Sequence, residues 1–66
     1  MAKKSDLRVL EDLFGFKIVC VMGIMAETDK GVLIKQVNGN FWATDMIEGV
    51  PMSFLGEGSW RYKIEI

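Results

Sequence analysis

The side chains that could support covalent or metal chemistry are few and widely spaced. The 66 residues include one cysteine, Cys20, and no histidine. A zinc site needs several Cys or His ligands, and a nucleophilic cysteine needs a base beside it. Because Cys20 lies within the apolar stretch "FKIVCVMGIM", we expect a buried, unreactive thiol.

Two other features resemble catalytic elements but lack the necessary partners. Asp45 stands in an apolar stretch, where an unpaired buried carboxylate would be costly, so we expect it to accept hydrogen bonds from turn amides. Gly56-Glu57-Gly58 resembles a phosphate-binding loop, but no lysine or helix follows it. The sequence therefore predicts no enzyme activity, no metal ion and no cofactor.

The segment from residue 38 to 42 combines amides with an aromatic side chain. Asn38 and Asn40 flank Gly39, which is typical of a tight hairpin. An amide can also bind a base edge through its donor and acceptor, so turn chemistry and ligand contact both remain open. Trp42 is predicted to point outward if its neighbours point inward. We expect it to pack between subunits, with base stacking as the alternative.

Composition indicates one small domain, residues 1–66, with more apolar surface than it can bury. Half of the residues are apolar, whereas a chain of this length hides only about 60% of its unfolded surface. Oligomerisation is the remaining way to cover the excess, since disulfides and zinc are excluded. The net charge of −1 gives no general basic field for nucleic acid, although it leaves a local site open.

We expect a soluble, cytoplasmic protein with no membrane partner. The longest apolar run is much shorter than the roughly 20 residues that span a bilayer, and a free cysteine is compatible with a reducing compartment.

The elements that must position these residues are predicted to be one helix and five strands. Residues 1–4 form a tail, residues 5–14 a helix and residues 16–66 the strands. Ser5 suits the N-cap, Leu7 and Leu10 share one apolar stripe, and Gly15 suits the position after the last helical residue. The strands are predicted at residues 16–25, 32–37, 41–47, 52–55 and 60–66.

Short strands with tight turns favour a mainly β fold, specifically a five-stranded antiparallel small barrel of the SH3 type. The polar segment 26–31 is predicted to be a turn. We expect the last two strands to be unpaired on one side and to form an interface between identical subunits. The predicted interface residues are Trp42, Met52, Phe54, Trp60, Tyr62 and Ile64.

Four segments resemble the Sm and Sm-like (LSm, Hfq-type) family. "LEDLFGFKIVCV" is similar to the family's helix and first strand, and "GVLIKQV" to its second strand. "NFWATDMIE" is similar to the end of the first Sm motif, and "FLGEG" stands where the second motif has Ile-Arg-Gly-Asp.

The resemblance implies a homo-oligomeric ring of five to eight subunits that binds single-stranded RNA near its pore. In the family, the fourth strand of one subunit pairs with the fifth of its neighbour. Carried over to this sequence, the RNA-binding residues are Asn38, Asn40, Leu55, Gly56 and Glu57.

Two of these positions depart from the family pattern. Leu55 replaces an arginine that would engage a base or phosphate, and Asn38 replaces a residue that would stack. Asn40 keeps its chemistry. The alternative function is therefore a homo-oligomeric scaffold or protein-interaction module of the same fold that lacks RNA binding.

Overall fold

The structure, a computed structural model, describes residues 6–66, so the predicted tail (1–4) and Ser5 lie outside it. One helix, α1 (Asp6–Phe14), precedes six strands, which confirms a mainly β chain that begins with a short helix. The strands are β1 (Ile18–Met22), β2 (Met25–Thr28), β3 (Leu33–Val37), β4 (Asn40–Ala43), β5 (Met52–Phe54) and β6 (Tyr62–Ile64).

All six strands form one antiparallel sheet in the order β1-β2-β3-β4-β6-β5. The sheet is open, with β1 and β5 at its edges, whereas the sequence predicted a small barrel of five strands. The last strand also differs from expectation. Because β6 lies between β4 and β5, it has no free edge for a neighbouring subunit.

The extra strand arises because the predicted first strand, residues 16–25, is a hairpin. Gly23 adopts a left-handed φ of +61°, and Met22 pairs with Met25 across the turn. The chain then continues as β2 through part of the segment predicted to be a turn. It turns after Thr28, whose hydroxyl accepts a hydrogen bond from the Val32 N–H (3.2 Å).

The hairpin predicted at Asn38–Asn40 is confirmed. Val37 pairs with Asn40, and the two turn residues have left-handed φ values of +51° (Asn38) and +79° (Gly39). Two consecutive positive φ values are the signature of a type I′ turn, which asparagine and glycine tolerate best.

One face of the sheet, here called the inner face, is covered by α1 and by the irregular segment 44–51. Leu10 of the helix is fully buried, and Gly15 ends the helix as predicted by donating its N–H to the Glu11 carbonyl (2.9 Å). The buried apolar core consists of Leu7, Leu10, Phe16, Ile18, Ala26, Val32, Ile34, Phe41, Ala43, Ile47, Val50 and Ile64.

Polar contacts tie both ends of α1 to the sheet. The Asp6 carboxylate accepts a hydrogen bond from the Gln36 amide. Near the other end, the Glu11 carboxylate accepts one from the Ile18 N–H and pairs with Arg8 (3.1 Å). The Ile18 hydrogen bond, together with Arg8, holds the pKa of Glu11 below its ordinary value of 4.5.

Two leucines on α1 provide a matched test of this packing. Leu10→Ala should lower the free energy of unfolding by about 2–5 kcal/mol, because it leaves a cavity under the helix. Leu13 is 57% exposed, so Leu13→Ala should change it by no more than about 0.5 kcal/mol. Urea denaturation measures both, and equal losses would contradict the described position of the helix.

The Glu11 contact predicts a pH dependence of stability. Since the folded-state pKa is lowered, the contact stabilises the protein above about pH 4.5 and is lost as the pH falls through the folded-state pKa. Glu11→Gln should therefore be less stable than the wild type at pH 7, and the difference should shrink on acidification. Urea unfolding from pH 7 to pH 3 measures it. Glu48→Gln, which removes an exposed carboxylate, controls for net charge. A difference in unfolding free energy between Glu11→Gln and the wild type that does not change with pH would contradict the prediction.

Candidate nucleic-acid interface

The face of the sheet opposite α1, here called the outer face, carries aromatic and basic side chains. The strand registers align one residue from each strand in a row across this face. Its members, in spatial order, are Met22, Met25, Lys35, Trp42, Lys63 and Ser53. A tryptophan thus lies directly between two lysines near the middle of the sheet.

A second tryptophan completes a shallow groove beside this row. The groove has a volume of about 330 Å³ and is lined by Lys35, Val37, Trp42 and Trp60, here called the aromatic patch. The Lys35 ammonium lies 4.7 Å from the centre of the Trp60 ring, within the range of a cation–π interaction. Both indoles remain partly exposed to solvent, so their faces are available to a ligand.

The loop between β5 and β6 carries Trp60 to the groove. Its base is closed by a hydrogen bond from the Leu55 N–H to the Arg61 carbonyl (2.6 Å). Gly58 has a φ of +103°, which few other residues adopt readily. The Arg61 guanidinium also donates to the Thr44 carbonyl (3.4 Å). The loop is therefore fixed to the end of β4 at the base from which Trp60 projects.

The residues predicted to bind RNA occupy two different ends of the sheet. Asn38 and Asn40 lie at the β3–β4 turn, beside the carboxyl end of β6, whereas Leu55, Gly56 and Glu57 lie in the β5–β6 loop, beyond the other end of β4. Within one copy of the chain they are not brought together. Asn40 shares the outer face with Trp42, two positions along the same strand, so it lies close to the aromatic patch.

The predicted interface residues divide among three environments. Phe54 is exposed at the free edge of β5, although its ring contacts Tyr62 edge-on at 5.4 Å. Met52 and Tyr62 pack against the core, and Ile64 is part of it. Phe41 and Ala43 are buried, which confirms that Trp42 points outward.

The structure shows where the side chains considered for covalent or metal chemistry lie. Among residues 6–66, no group of three His, Cys, Asp or Glu side chains could hold a metal ion. The expectation of a buried Cys20 is wrong, because its thiol is exposed on an edge strand that has no further strand to cover it. Asp45 accepts a hydrogen bond from the Met46 N–H (2.8 Å), as predicted for a structural carboxylate.

Sequence reasoning identified Trp42 but missed its basic neighbours and the position of Trp60. Alternation along β3 and β6 places Lys35 and Lys63 on the outer face, and this signal was available in the sequence. The β4–β6 pairing that brings Lys63 next to Trp42 depends on the order of the strands, which local periodicity does not determine.

Comparisons with protein-family models, curated proteins and solved structures find no match to this chain. The Sm-like resemblance therefore stays a prediction. None of the helical structure in residues 6–66 has the length and apolar character of a membrane span.

Asn38 provides a test of how much the β3–β4 turn depends on a residue that tolerates the left-handed conformation. Its φ of +51° disfavours a residue with an ordinary β-carbon by about 1–2 kcal/mol. Asn38→Ala should thus lower the free energy of unfolding by about 1 kcal/mol, whereas Asn38→Gly should be close to neutral. Urea denaturation of the two variants measures this. Equal destabilisation would instead show that the asparagine side chain itself stabilises the fold.

Proposed function

We propose that this protein binds single-stranded RNA on the outer face of its sheet. The observation that carries the proposal is the grouping of two partly exposed tryptophans, Trp42 and Trp60, with two lysines, Lys35 and Lys63. Proteins that bind single strands combine such stacking surfaces with cationic side chains that follow the backbone.

Stacking would supply most of the affinity. An indole face can hold any base, and each stacked base is worth about 1–3 kcal/mol by alanine substitution. Trp42 and Trp60 line one groove, so neighbouring bases of a single strand could reach them together. A base-paired duplex keeps its base faces stacked internally and could not use this surface in the same way.

Local charge favours a polyanion although the whole chain is slightly acidic. Lys35 and Lys63 flank Trp42 in the row. The net charge of −1 means that long-range steering is weak, so binding should depend on contact with these cations. Asn40 lies beside them and offers an amide for a base edge.

An assembly of several subunits, in the cytoplasm, remains part of this proposal. The sequence resemblance favours an Sm-like ring of five to eight subunits, but β6 is paired on both sides. The family's contact between the last two strands is therefore blocked, and RNA binding at the aromatic patch does not rest on the ring. Phe54 is 63% exposed and Leu55 51% exposed, so apolar surface beside β5 is available for a contact between subunits.

A scaffold or protein-interaction module without RNA binding is the second candidate. It is favoured by the leucine at position 55, where the family has arginine, and by the exposed apolar residues on both edge strands. In this alternative the aromatic patch would contact protein, and the lysines would have no role in affinity.

Titration with oligo-U and oligo-A at low salt, followed by tryptophan fluorescence, tests the first candidate. Binding should be micromolar or tighter. Trp42→Ala and Trp60→Ala should each weaken it roughly 5- to 150-fold, the equivalent of one lost stacking contact. Lys63→Gln should also weaken binding. It should reduce the slope of log binding constant against log salt concentration by about 0.7, as expected for one lost phosphate contact to a single strand.

Three controls separate this site from others. Lys30→Gln removes the same charge from the β2–β3 turn and should have little effect. Phe54→Ala removes an aromatic ring from the β5 edge, outside the groove. Asn40→Ala tests the family-type contact by itself. If neither oligomer binds, or if both tryptophan variants bind like the wild type, the scaffold function is favoured.

A further inference from the structure

The β1 edge of the sheet is unusually apolar for a surface exposed to water. The strand, Ile-Val-Cys-Val-Met, contains no charged residue. Val19 is 61% exposed, Val21 51% and Met22 50%, and Ile24 in the adjoining turn is 60% exposed. An edge strand also leaves alternate backbone N–H and C=O groups unpaired, which makes it a template for another strand.

The other edge is protected in ways that β1 is not. Strand β5 has three residues and directly follows Pro51, and short length and proline are both devices that block edge pairing. Its central residue, Ser53, donates its hydroxyl to the Glu65 carboxylate, which places a charge near that edge. The start of β1 is covered, because it has a bulge between Ile18 and Cys20 and α1 reaches Ile18, whose N–H donates to Glu11 and whose carbonyl accepts from Arg8 (3.4 Å). Cys20–Met22 pair regularly with β2.

We propose that β1 pairs antiparallel with β1 of a second copy of this chain, about a two-fold axis near Cys20. A single unprotected patch can be covered by an identical patch through an isologous contact, which requires no second complementary surface. Pairing satisfies backbone groups that both strands leave free beyond Ile18 and packs Val19 of each copy against Val21 of the other. The absence of charge in β1 means that no like charges face each other across the contact.

Charges on the neighbouring strand are too distant to oppose the pairing. Glu27 of β2 is the partner of Cys20 and lies on the outer face. Three strand spacings of about 4.8 Å would separate Glu27 from its symmetry mate, or about 14 Å, which exceeds the screening length of roughly 8–10 Å. The contact is small, so we expect a concentration-dependent dimer. It does not require RNA.

Cys20 can be used to detect the proposed pairing, which does not itself depend on the thiol. In the proposed register the two Cys20 residues are directly opposite, with Cα atoms about 4.5–5.5 Å apart. That separation falls within the range of about 4.4–6.8 Å that a disulfide spans. The exposed thiol can therefore be cross-linked by mild oxidation without moving the backbone.

Solution mass without RNA, measured by light scattering across concentrations, tests the proposal. The wild type should shift from monomer to dimer, and Val21→Lys should weaken dimerisation roughly tenfold or more. The reasons are lost burial and two like charges placed diagonally across the contact, about 7–8 Å apart. Met46→Lys, at a position 67% exposed outside the edge strands, is the matched control and should dimerise like the wild type. Val19→Lys provides a second variant if Val21→Lys fails to fold.

Oxidation with diamide in dilute solution gives an independent measurement. The wild type should form a Cys20 disulfide dimer, Cys20→Ser should not, and Val21→Lys should do so much more slowly although it retains the thiol. Three results would overturn the proposal: a wild type that stays monomeric at millimolar concentration, a mass unaffected by both edge lysines, or equal cross-linking with and without Lys at position 21. A stable ring of five to eight subunits unaffected by these substitutions would count among them.

Discussion

One nine-residue helix has to cover a sheet of six strands, and this constraint determines the rest of the surface. The helix and the segment 44–51 can cover one face only. The outer face is shielded by its own long side chains, chiefly Trp42 and Trp60, whose rings lie beside lysine stems. Within residues 6–66, the edges are left uncovered except at the start of β1, where Glu11 and Arg8 reach Ile18. Exposed apolar side chains are therefore concentrated where the helix cannot reach.

Polar contacts near the two ends of α1 fix its position over the inner face. Asp6 is held at β3 through Gln36, and Glu11 is held at β1 through the Ile18 backbone. Between them Leu10 is fully buried. Because hydrogen bonds are directional and apolar burial is not, the leucines hold the helix against the sheet and the carboxylates set its direction across the strands.

Local patterns predicted the helix, the Asn38-Gly39 hairpin and the outward direction of Trp42, because each depends on neighbours within a few residues. The hairpin at Gly23 was missed because one glycine in an apolar run gives a weak turn signal. Glu27 and Thr28 suggested a turn because both are polar. The Thr28 side chain is nevertheless buried, and its hydroxyl donates a hydrogen bond to the Val32 carbonyl (3.0 Å). The position of β6 inside the sheet depends on long-range pairing, which periodicity does not encode.

The two proposed surfaces are physically independent. The aromatic patch lies on β3, β4 and the residues before β6, whereas β1 is two strands away at the edge. In a dimer joined through β1, the two Trp42 residues would be about seven strand spacings apart, or roughly 34 Å. A twist of about 20° per strand, accumulated over seven steps, would rotate one patch by roughly 140° relative to the other. The patches would then face nearly opposite directions, so each would bind its own segment of RNA, and dimerisation would add little avidity for a short strand.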